Sequence, residues 1–410
     1  MTRLGSGFWR MYSATAASDL ADGIGRTALP LAAAAYTRNP VTVSGLVTFA
    51  FLPWLLFALP SGALVDRVDR RRAMAAANAV RALATAALAL LLLTHAGSIP
   101  VLYAVAFALG VAETVYDSAV RALLPQVVGR DQLDEANSLI TVEETLGQTF
   151  LGAPVGSALF ALAVALPFFL NAAGFAIAAV LIMTLRGHYR PTRTTQTSIR
   201  ADIGEGVCWL RRHTLLRGLT LISAATGFAQ TMVTGVFVLY VLEVLRLPSG
   251  DFGFVLFTAG IGALIGGVAT PPLARRFGRP LVLTCGAAFS AITMGLMALT
   301  RHGVLAAVLF ALSASGVMVW NVLTMSLRQA LIPPELFGRV QGAYRTLVWG
   351  AIPLGAIVGG ALASLVGIRT VFAVAGMVSL VLAGLLGRLL HQHADALRDD
   401  PTPAVDLALA

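Results

Sequence analysis

The chain has 410 residues, of which 57% are hydrophobic and only 12% are charged. Soluble domains carry about 25% charged residues, so this composition excludes a water-soluble protein and predicts that much of the surface lies in lipid. The net charge is +9, and the sequence contains no lysine. A Schiff-base lysine, a P-loop lysine and a lysine general base are therefore excluded.

Twelve apolar segments are each long enough to cross a bilayer, which takes about 20 helical residues. These spans cover, in chain order, residues 9–36, 43–65, 73–94, 100–122, 137–161, 164–185, 215–243, 252–274, 280–300, 303–326, 341–365 and 370–391. Spans 1 and 5 are the weakest because they contain charged residues. Those charges also argue against a cleaved signal peptide, whose apolar core should be uninterrupted.

The arginines are concentrated in every second gap between the spans. If the N-terminus lies in the cytoplasm, 23 arginines fall in cytoplasmic segments or at the cytoplasmic ends of spans, four fall in outside loops, and Arg26 and Arg81 lie inside spans. The positive-inside rule then predicts twelve spans with both termini cytoplasmic, in the inner or plasma membrane of the cell. Because the arginines occupy these gaps, they indicate membrane topology rather than nucleic-acid binding.

The longest polar stretch divides the spans into two sets of six. The sequence predicts an N-terminal six-helix bundle over 1–186 and a cytoplasmic linker with an amphipathic helix over 187–214. A C-terminal six-helix bundle over 215–391 and a disordered cytoplasmic tail over 392–410 follow. The two cysteines lie far apart and the six histidines show no paired spacing, so neither a disulfide scaffold, a metal site nor a cofactor is expected.

The two halves repeat each other. The arginine-rich segment 62–72 after span 2 corresponds to 271–279 after span 8, and the Gly-Ala-Pro-Val-Gly run at 152–156 corresponds to 352–355. Internal repeats of this kind are typical of secondary transporters, which place the substrate site between the halves near the membrane midplane.

The segment after span 2 resembles the loop between the second and third helices of the major facilitator superfamily. The matching residues are Gly62, Leu64, Asp66, Arg67, Arg70 and Arg71. Asp69 departs from the family, which usually has glycine there. Gly147 together with residues 152–156 is similar, in degenerate form, to the antiporter motif of span 5. Residues 121–139 resemble the branch that contains macrolide efflux proteins and the enterobactin exporter.

This resemblance implies an all-α membrane protein with twelve transmembrane helices in two six-helix bundles related by a pseudo-two-fold axis. It implies a monomer that carries a small molecule. It also implies that Asp66 and the arginines latch the inner ends of the halves, with Asp66 opposite Arg339 or Arg345 at the start of span 11. The alternative is that these arginines only set topology, but topology does not require the Leu64/Asp66 spacing.

Apart from Glu243 at the outer end of span 7, six acidic residues lie inside the spans, all in the first half: Asp19, Asp22, Glu113, Asp117, Glu143 and Glu144. A charge at the bilayer centre costs about 2.5–3.5 kcal/mol on insertion scales, so such residues usually face the interior and serve a function. If the protein couples transport to protons, its proton site is predicted in the first half.

Asp19 and Asp22 share a face of span 1, where repulsion between like charges favours protonation of one of them. Arg26 lies four residues beyond Asp22, and this spacing predicts an ion pair that leaves Asp19 as the better proton carrier. Gly23 and Gly25 predict a loosened helix at this point. The alternative is a structural Asp22–Arg26 pair with a hydrated Asp19.

On span 4, Glu113, Asp117 and Arg121 follow one another at intervals of four residues. Arg121 is predicted to pair with Asp117, or with Glu143 or Glu144 of span 5. Glu113 has no local partner and is the first candidate for the proton site, ahead of Asp19 and Asp22. Glu143 and Glu144 lie about two turns into span 5, which favours a gate or a helix-packing role.

The resemblance also implies a cavity lined mainly by spans 1, 4, 7 and 10. The candidates on these spans are Tyr116, Phe228, Gln230, Phe237, Tyr240, Met318, Trp320 and Asn321. An aromatic and methionine-rich surface suits amphipathic ligands of varied shape. Any one of these side chains could instead pack in the core or face lipid.

The sequence therefore predicts a proton-coupled exporter of small amphipathic molecules, such as a drug, an antibiotic, a siderophore or a secondary metabolite. Its expected partners are this substrate, protons and the lipid bilayer, without nucleic acid. Two alternatives stay open: an uptake or lipid-flipping carrier of the same fold, and a non-transporting receptor or scaffold. An enzyme is not expected, because no nucleophile–base or metal-binding set appears in the sequence.

Overall fold

The computed structural model describes residues 4–65, 67–129, 132–187, 189 and 199–393, and every regular element within these residues is helical. The first half contains α1 (Ser6–Tyr36), α2 (Pro40–Val65), α3 (Arg70–Leu93), α4 (Ile99–Val127), α5 (Leu133–Thr145), α6 (Ala153–Leu162) and α7 (Leu166–Met183). The second half contains α8 (Ile199–Arg212), α9 (Thr214–Leu239), α10 (Phe252–Phe277), α11 (Arg279–Leu296), α12 (Gly303–Leu331), α13 (Pro334–Val366) and α14 (Ile368–Gln392).

Eleven helical stretches in this part of the chain are long and apolar enough to cross a membrane. The helix α1 is equally long, at 31 residues, but carries charged residues along its length. With α1 counted, the twelve predicted spans each correspond to one long helix. The remaining helix, α8, has 14 residues and is amphipathic, with Arg211 and Arg212 in its last turn. The predicted tail lies outside the described residues from 394 onward, and the domain boundaries stay predictions.

Two membrane helices contain π-helical segments, which the sequence analysis did not predict. The segment Leu146–Gly152 joins α5 and α6 into one continuous helix, and Tyr240–Val244 extends α9. Short π-helical stretches inside α-helices occur frequently at functional sites. The first of them lies beside the acidic residues of α1, as described below.

The arrangement of buried side chains differs between the two ends of the molecule. We call the end where α1 begins and α14 ends the terminal face, and the other end the distal face. Near the distal face one hydrophobic core unites both halves, for example Leu31 and Phe168 with Tyr240 and Phe372. Near the terminal face each half has its own core, with Leu123 in one and Leu323 in the other. The hydrophobic cores of the two halves are therefore joined distally and separate at the terminal face.

Small residues bring α2, α9 and α13 together at the distal face. Gly360 lies directly against the Ser44 side chain, and a Cβ atom on Gly235 would be 3.0 Å from Ser44 Cβ. The Thr48 hydroxyl donates a hydrogen bond of 3.3 Å to the carbonyl oxygen of Pro353. Small residues at helix crossings allow this close backbone approach in a membrane. We call this contact the distal seam.

A second contact between the halves joins α6 to α10 and the turn that precedes it. Ser157 Oγ donates to the Gly250 carbonyl oxygen at 2.9 Å, and Gly253 packs against the backbone of α6. An exposed ion pair, Arg38 Nε to Glu243 Oε1 at 3.8 Å, also bridges the halves. These contacts close the space between the bundles on the distal side.

Candidate functional site

The acid Asp22 of α1 pairs with an arginine of α3 that the sequence analysis did not single out as its partner. Arg81 is 1% exposed, and its Nη1 lies 3.2 Å from Asp22 Oδ2 and 3.3 Å from Ser18 Oγ. The guanidinium carbon also lies 4.9 Å from the ring centre of Tyr116 and 5.2 Å from that of Phe175. A fully buried arginine is held here by a carboxylate and two aromatic rings.

Arg26 binds Glu113 rather than Asp22. Its Nη2 lies 2.5 Å from Glu113 Oε1, and the side chains are 54% and 20% exposed. The predicted Asp22–Arg26 ion pair is therefore wrong. Glu113 has no partner on its own helix, as predicted, but α1 supplies one. Helical spacing identifies residues on one face, but not the residues that a neighbouring helix brings opposite them.

Asp19 has no cationic partner among the described residues. It is 9% exposed, and its Oδ1 accepts a hydrogen bond of 3.0 Å from Gln148 Nε2 in the π-helical segment. Glu143 is 6% exposed and lies beside Asp19 and Thr15. Two buried carboxyl groups therefore face each other between α1 and α5, without an arginine. The neighbouring Glu144 is exposed, so the two glutamates occupy different environments.

Gly23 is needed for packing rather than for flexibility. The helix α1 continues without a break from Ser6 to Tyr36, which contradicts the predicted loosening. A Cβ atom on Gly23 would overlap the carbonyl oxygen of Gln148, and one on Gly25 would overlap the amide of Asn171. These glycines let the π-helical segment and α7 approach α1 closely enough to place Gln148 against Asp19.

The predicted pair on α4 is confirmed. Arg121 Nη2 lies 3.8 Å from Asp117 Oδ2, with both side chains partly exposed. These two residues line a cleft of about 200 Å³ between the halves, together with Trp54 of α2 and Arg345 of α13. The ring centres of Trp54 and Trp349 are 4.4 Å apart and mark the end of the distal seam.

Two of the predicted cavity residues belong to the distal core instead. Phe237 is 4% exposed and stacks on Phe310 at 4.5 Å between ring centres. Tyr240 is 0% exposed, lies 4.2 Å from the ring of Phe372 and donates its hydroxyl to the Met297 carbonyl oxygen. The prediction for these two is wrong, because both side chains pack against aromatic rings of the second half and the Tyr240 hydroxyl has its hydrogen-bond partner there.

The other cavity candidates have varied surroundings. Gln230 and Trp320 line a cavity of about 20 Å³ in the second half, which is large enough for a single water. Tyr116 is buried against Arg81, and Phe228 packs against the distal core. The two remaining candidates are Met318, which lies next to Gly267 of α10, and Asn321, which is exposed.

Two arginines of the predicted latch, Arg70 and Arg71, donate hydrogen bonds within the first half. Arg70 Nη1 donates to the Ala122 carbonyl oxygen at 2.7 Å, and Arg71 Nη1 donates to that of Leu185 at 2.6 Å. A Cβ atom added to Gly62 would meet no heavy atom within 4 Å, and the side chains of Leu64 and Arg67 are exposed. Asp66 lies outside the described residues, so the latch stays a prediction.

Asp69 has a structural role that explains its departure from glycine. Its φ is −66°, which any residue can adopt, and its Oδ1 accepts a hydrogen bond of 3.1 Å from the Arg72 backbone amide. Asp69 is therefore the N-cap of α3, and aspartate is among the preferred residues at that position.

The chain matches the family model "Major Facilitator Superfamily" over residues 11–356 and 219–407. It is 28% identical to the multidrug efflux pump Tap of Mycolicibacterium fortuitum over 366 residues, which cover 86% of this chain and 88% of that protein. It is 27% identical to the enterobactin exporter EntS of Escherichia coli O1:K1 / APEC over 311 residues, which cover 74% and 71%. The predicted resemblance to the superfamily and to the enterobactin-exporter branch is confirmed.

The fold is similar to solved transporter structures. The nucleoside transporter NupG superposes with a TM-score of 0.77 over 94% of this chain and 99% of its own, at 14% sequence identity. At that identity the likeness concerns the fold alone. It confirms the predicted class of twelve transmembrane helices in two six-helix bundles.

Proposed function

This chain belongs to the Major Facilitator Superfamily, and from that premise we propose that it exports small amphipathic molecules in exchange for protons. The family consists of transporters, so the protein is a multi-pass membrane transporter and not an enzyme. The similarity to two relatives, a multidrug efflux pump and an enterobactin exporter, supports export as the direction.

The shape of the molecule supports alternating access. The halves share a core at the distal face and have separate cores at the terminal face. We infer that a substrate enters the space between them from the terminal side. The arginine asymmetry predicts that this side is cytoplasmic, so we assign the structure to the state in which an exporter loads its substrate. Release requires that the distal seam opens while the terminal ends close.

The paired carboxyl groups of Asp19 and Glu143 carry the proposal of proton coupling. Asp22 and Glu113 each have an arginine partner, whereas Asp19 and Glu143 have none among the described residues. Two adjacent carboxylates repel each other in a region of low dielectric constant, and one shared proton removes that repulsion. We therefore place the exchangeable proton at this pair, ahead of Glu113.

The same pair is placed to link protonation to helix movement. Gln148 donates to Asp19 from the π-helical segment, which is continuous with α6. The helix α6 in turn contacts α10 across the halves through Ser157. Loss or gain of a proton at Asp19 changes what Gln148 binds, and so changes the contact between α1 and this helix. Coupling needs such a difference, because a ligand shifts an equilibrium only by binding the two states unequally.

We expect Glu143→Gln to abolish pH-driven efflux, because it removes the partner that makes the shared proton exchangeable. Glu144→Gln is the matched control, since this neighbour is exposed and lies outside the pair. The measurement is efflux of a chemically diverse set of compounds from a hypersensitive host, followed by transport in proteoliposomes with an imposed pH gradient. Asp19→Asn should behave like Glu143→Gln.

An equal loss of pH-driven efflux in Glu143→Gln and Glu144→Gln would contradict the assignment of the proton site. Normal coupling of efflux to the pH gradient in Glu143→Gln would contradict it as well. Accumulation rather than efflux would favour the uptake or lipid-flipping alternative. The absence of flux for every compound, with the buried acids dispensable, would favour a receptor or scaffold.

A further inference from the structure

The cleft between Trp54 and Arg345 has features that the proton site does not use. It is lined by α2, α4 and α13, and therefore by both halves of the molecule. Its volume of about 200 Å³ is below the 300–1,000 Å³ of a pocket that holds a whole drug-sized ligand. The cleft is therefore suited to one chemical group of a larger substrate.

The charges that line this cleft are unbalanced. Arg121 comes from the first half and Arg345 from the second, and Asp117 is the single carboxylate among the lining residues. The Asp117–Arg121 distance of 3.8 Å is longer than the 2.7–2.9 Å of a strong charged hydrogen bond. Arg345 makes no ion pair with any carboxylate in the described part of the chain. One positive charge therefore remains uncompensated.

A third arginine adds to the positive potential. Arg328 of α12 is 9% exposed, and its Nε and Nη1 have no hydrogen-bond partner in the described structure. Its guanidinium carbon lies 3.9 Å from the ring centre of Tyr344, and it acts on Arg345 electrostatically. The charged and titratable neighbours of Arg345 are thus Arg121, Arg328, Asp117 and Tyr344.

Aromatic rings form the remaining functional surface of the cleft. The indole rings of Trp54 and Trp349 meet at an angle of 65°, and Arg345 lies 6.0 Å from the ring centre of Trp349. Edge-to-face and cation–π geometries of this kind favour a flat ring placed between indoles and a guanidinium.

We propose that this cleft binds the anionic end of an aromatic substrate, with a carboxylate, phenolate or sulfonate between Arg121 and Arg345 and its ring against Trp54 and Trp349. This inference rests on the transport function proposed above and names its substrate class. The anion also joins the halves, because it neutralises two guanidinium groups that otherwise repel each other across the cleft. Substrate binding therefore favours closure of the terminal face.

The test measures binding to the purified full-length protein through its own tryptophan fluorescence, which nitroaromatic compounds quench. The probes are 4-nitrobenzoate and 4-nitrobenzamide, which have nearly the same shape but differ in charge. We expect wild-type protein to bind the anion at least tenfold more tightly than the amide. Arg345→Gln should remove this preference by weakening the binding of 4-nitrobenzoate alone. Arg345→Lys, which keeps the positive charge, should restore part of the preference.

Arg276→Gln is the matched control, because Arg276 is exposed at the terminal face and does not line the cleft. Equal wild-type affinity for the two probes would overturn the proposal, as would an unchanged preference in Arg345→Gln. An equal loss in Arg276→Gln would show that overall charge, not the cleft, attracts the anion. If a variant fails to fold, the wild-type ratio of the two affinities decides by itself.

The outcome is separable from the proposed transport function. Anion-selective quenching without any efflux would retain the cleft and reject the exporter. Efflux restricted to neutral or cationic compounds, with no anion preference in the quenching, would retain the exporter and reject the cleft.

Discussion

At the distal face the two halves touch through small residues such as Ser44, Gly235 and Gly360, whereas toward the terminal face their hydrophobic cores are separate and charged side chains line the cleft between them. The distal contact depends on shape, because a backbone or a hydroxyl group occupies the space that a side chain would need. The terminal gap depends on charge, because Arg121 and Arg345 oppose each other there. Substitutions at the two faces should therefore differ in the size of their effects on transport and structure, and in how those effects respond to salt.

The largest effect is expected from Gly360→Leu in the distal seam. A side chain at this position overlaps Ser44, so the halves must separate distally for the variant to fold. We expect loss of efflux and a longer distance between spin labels on the distal ends of α2 and α13. Gly384→Leu is the control, since a Cβ atom there meets no heavy atom within 4 Å. Wild-type spin-label distances in Gly360→Leu would refute a sterically closed distal face.

A smaller effect is expected from Arg81→Met, which lies between the two faces. It leaves Asp22 without its partner in a buried site, and breaking a buried pair costs about 3–5 kcal/mol. We expect a lower thermal unfolding temperature, measured by differential scanning fluorimetry. The double variant Asp22→Leu/Arg81→Met should be more stable than Arg81→Met, because it removes the orphaned charge. An additive loss in the double variant would argue against the pair.

The smallest effect is expected from Arg38→Gln at the distal rim. The Arg38–Glu243 pair is exposed and 3.8 Å long, and exposed pairs contribute about 0.2–1 kcal/mol. The change should appear as a slight shift of the spin-label distances toward distal opening at low salt and vanish at high salt. Arg301→Gln, in another distal loop, should cause no shift. A large, salt-independent effect would show that charge also governs the distal face.

The helices are predictable because crossing a lipid bilayer requires long apolar runs. The arginines in alternate gaps between these runs indicate the orientation of each span. The Asp117–Arg121 pair was also predictable, since both residues lie on one helix at a favourable spacing. The partners of Asp22 and Arg26 were not, because they come from α3 and α4. These partners are 59 and 87 positions apart in the sequence, so they meet only after the helices have packed.

The role of a glycine is hard to predict from sequence for a related reason. Within one segment Gly23 indicates flexibility, but its function depends on Gln148, which lies on another helix. The π-helical segment that brings Gln148 there starts beside Gly147 and ends at Gly152. These two glycines, followed by Pro154, are the sequence signal for this segment, but their resemblance to the antiporter motif specifies no geometry. Asp69 likewise shows its capping role only once the start of α3 is known.

The shared distal core also constrains how the protein is made. Each terminal core uses residues from one half only, so it can form as soon as that half has been inserted. The distal core needs Leu31 and Phe168 together with Tyr240 and Phe372, which are separated by a long stretch of chain. It must therefore assemble last, after translation of the second half, since contacts between distant residues pay the greatest loop-closure entropy. Until then, the ribosome-bound first half exposes the surface that later closes the transporter.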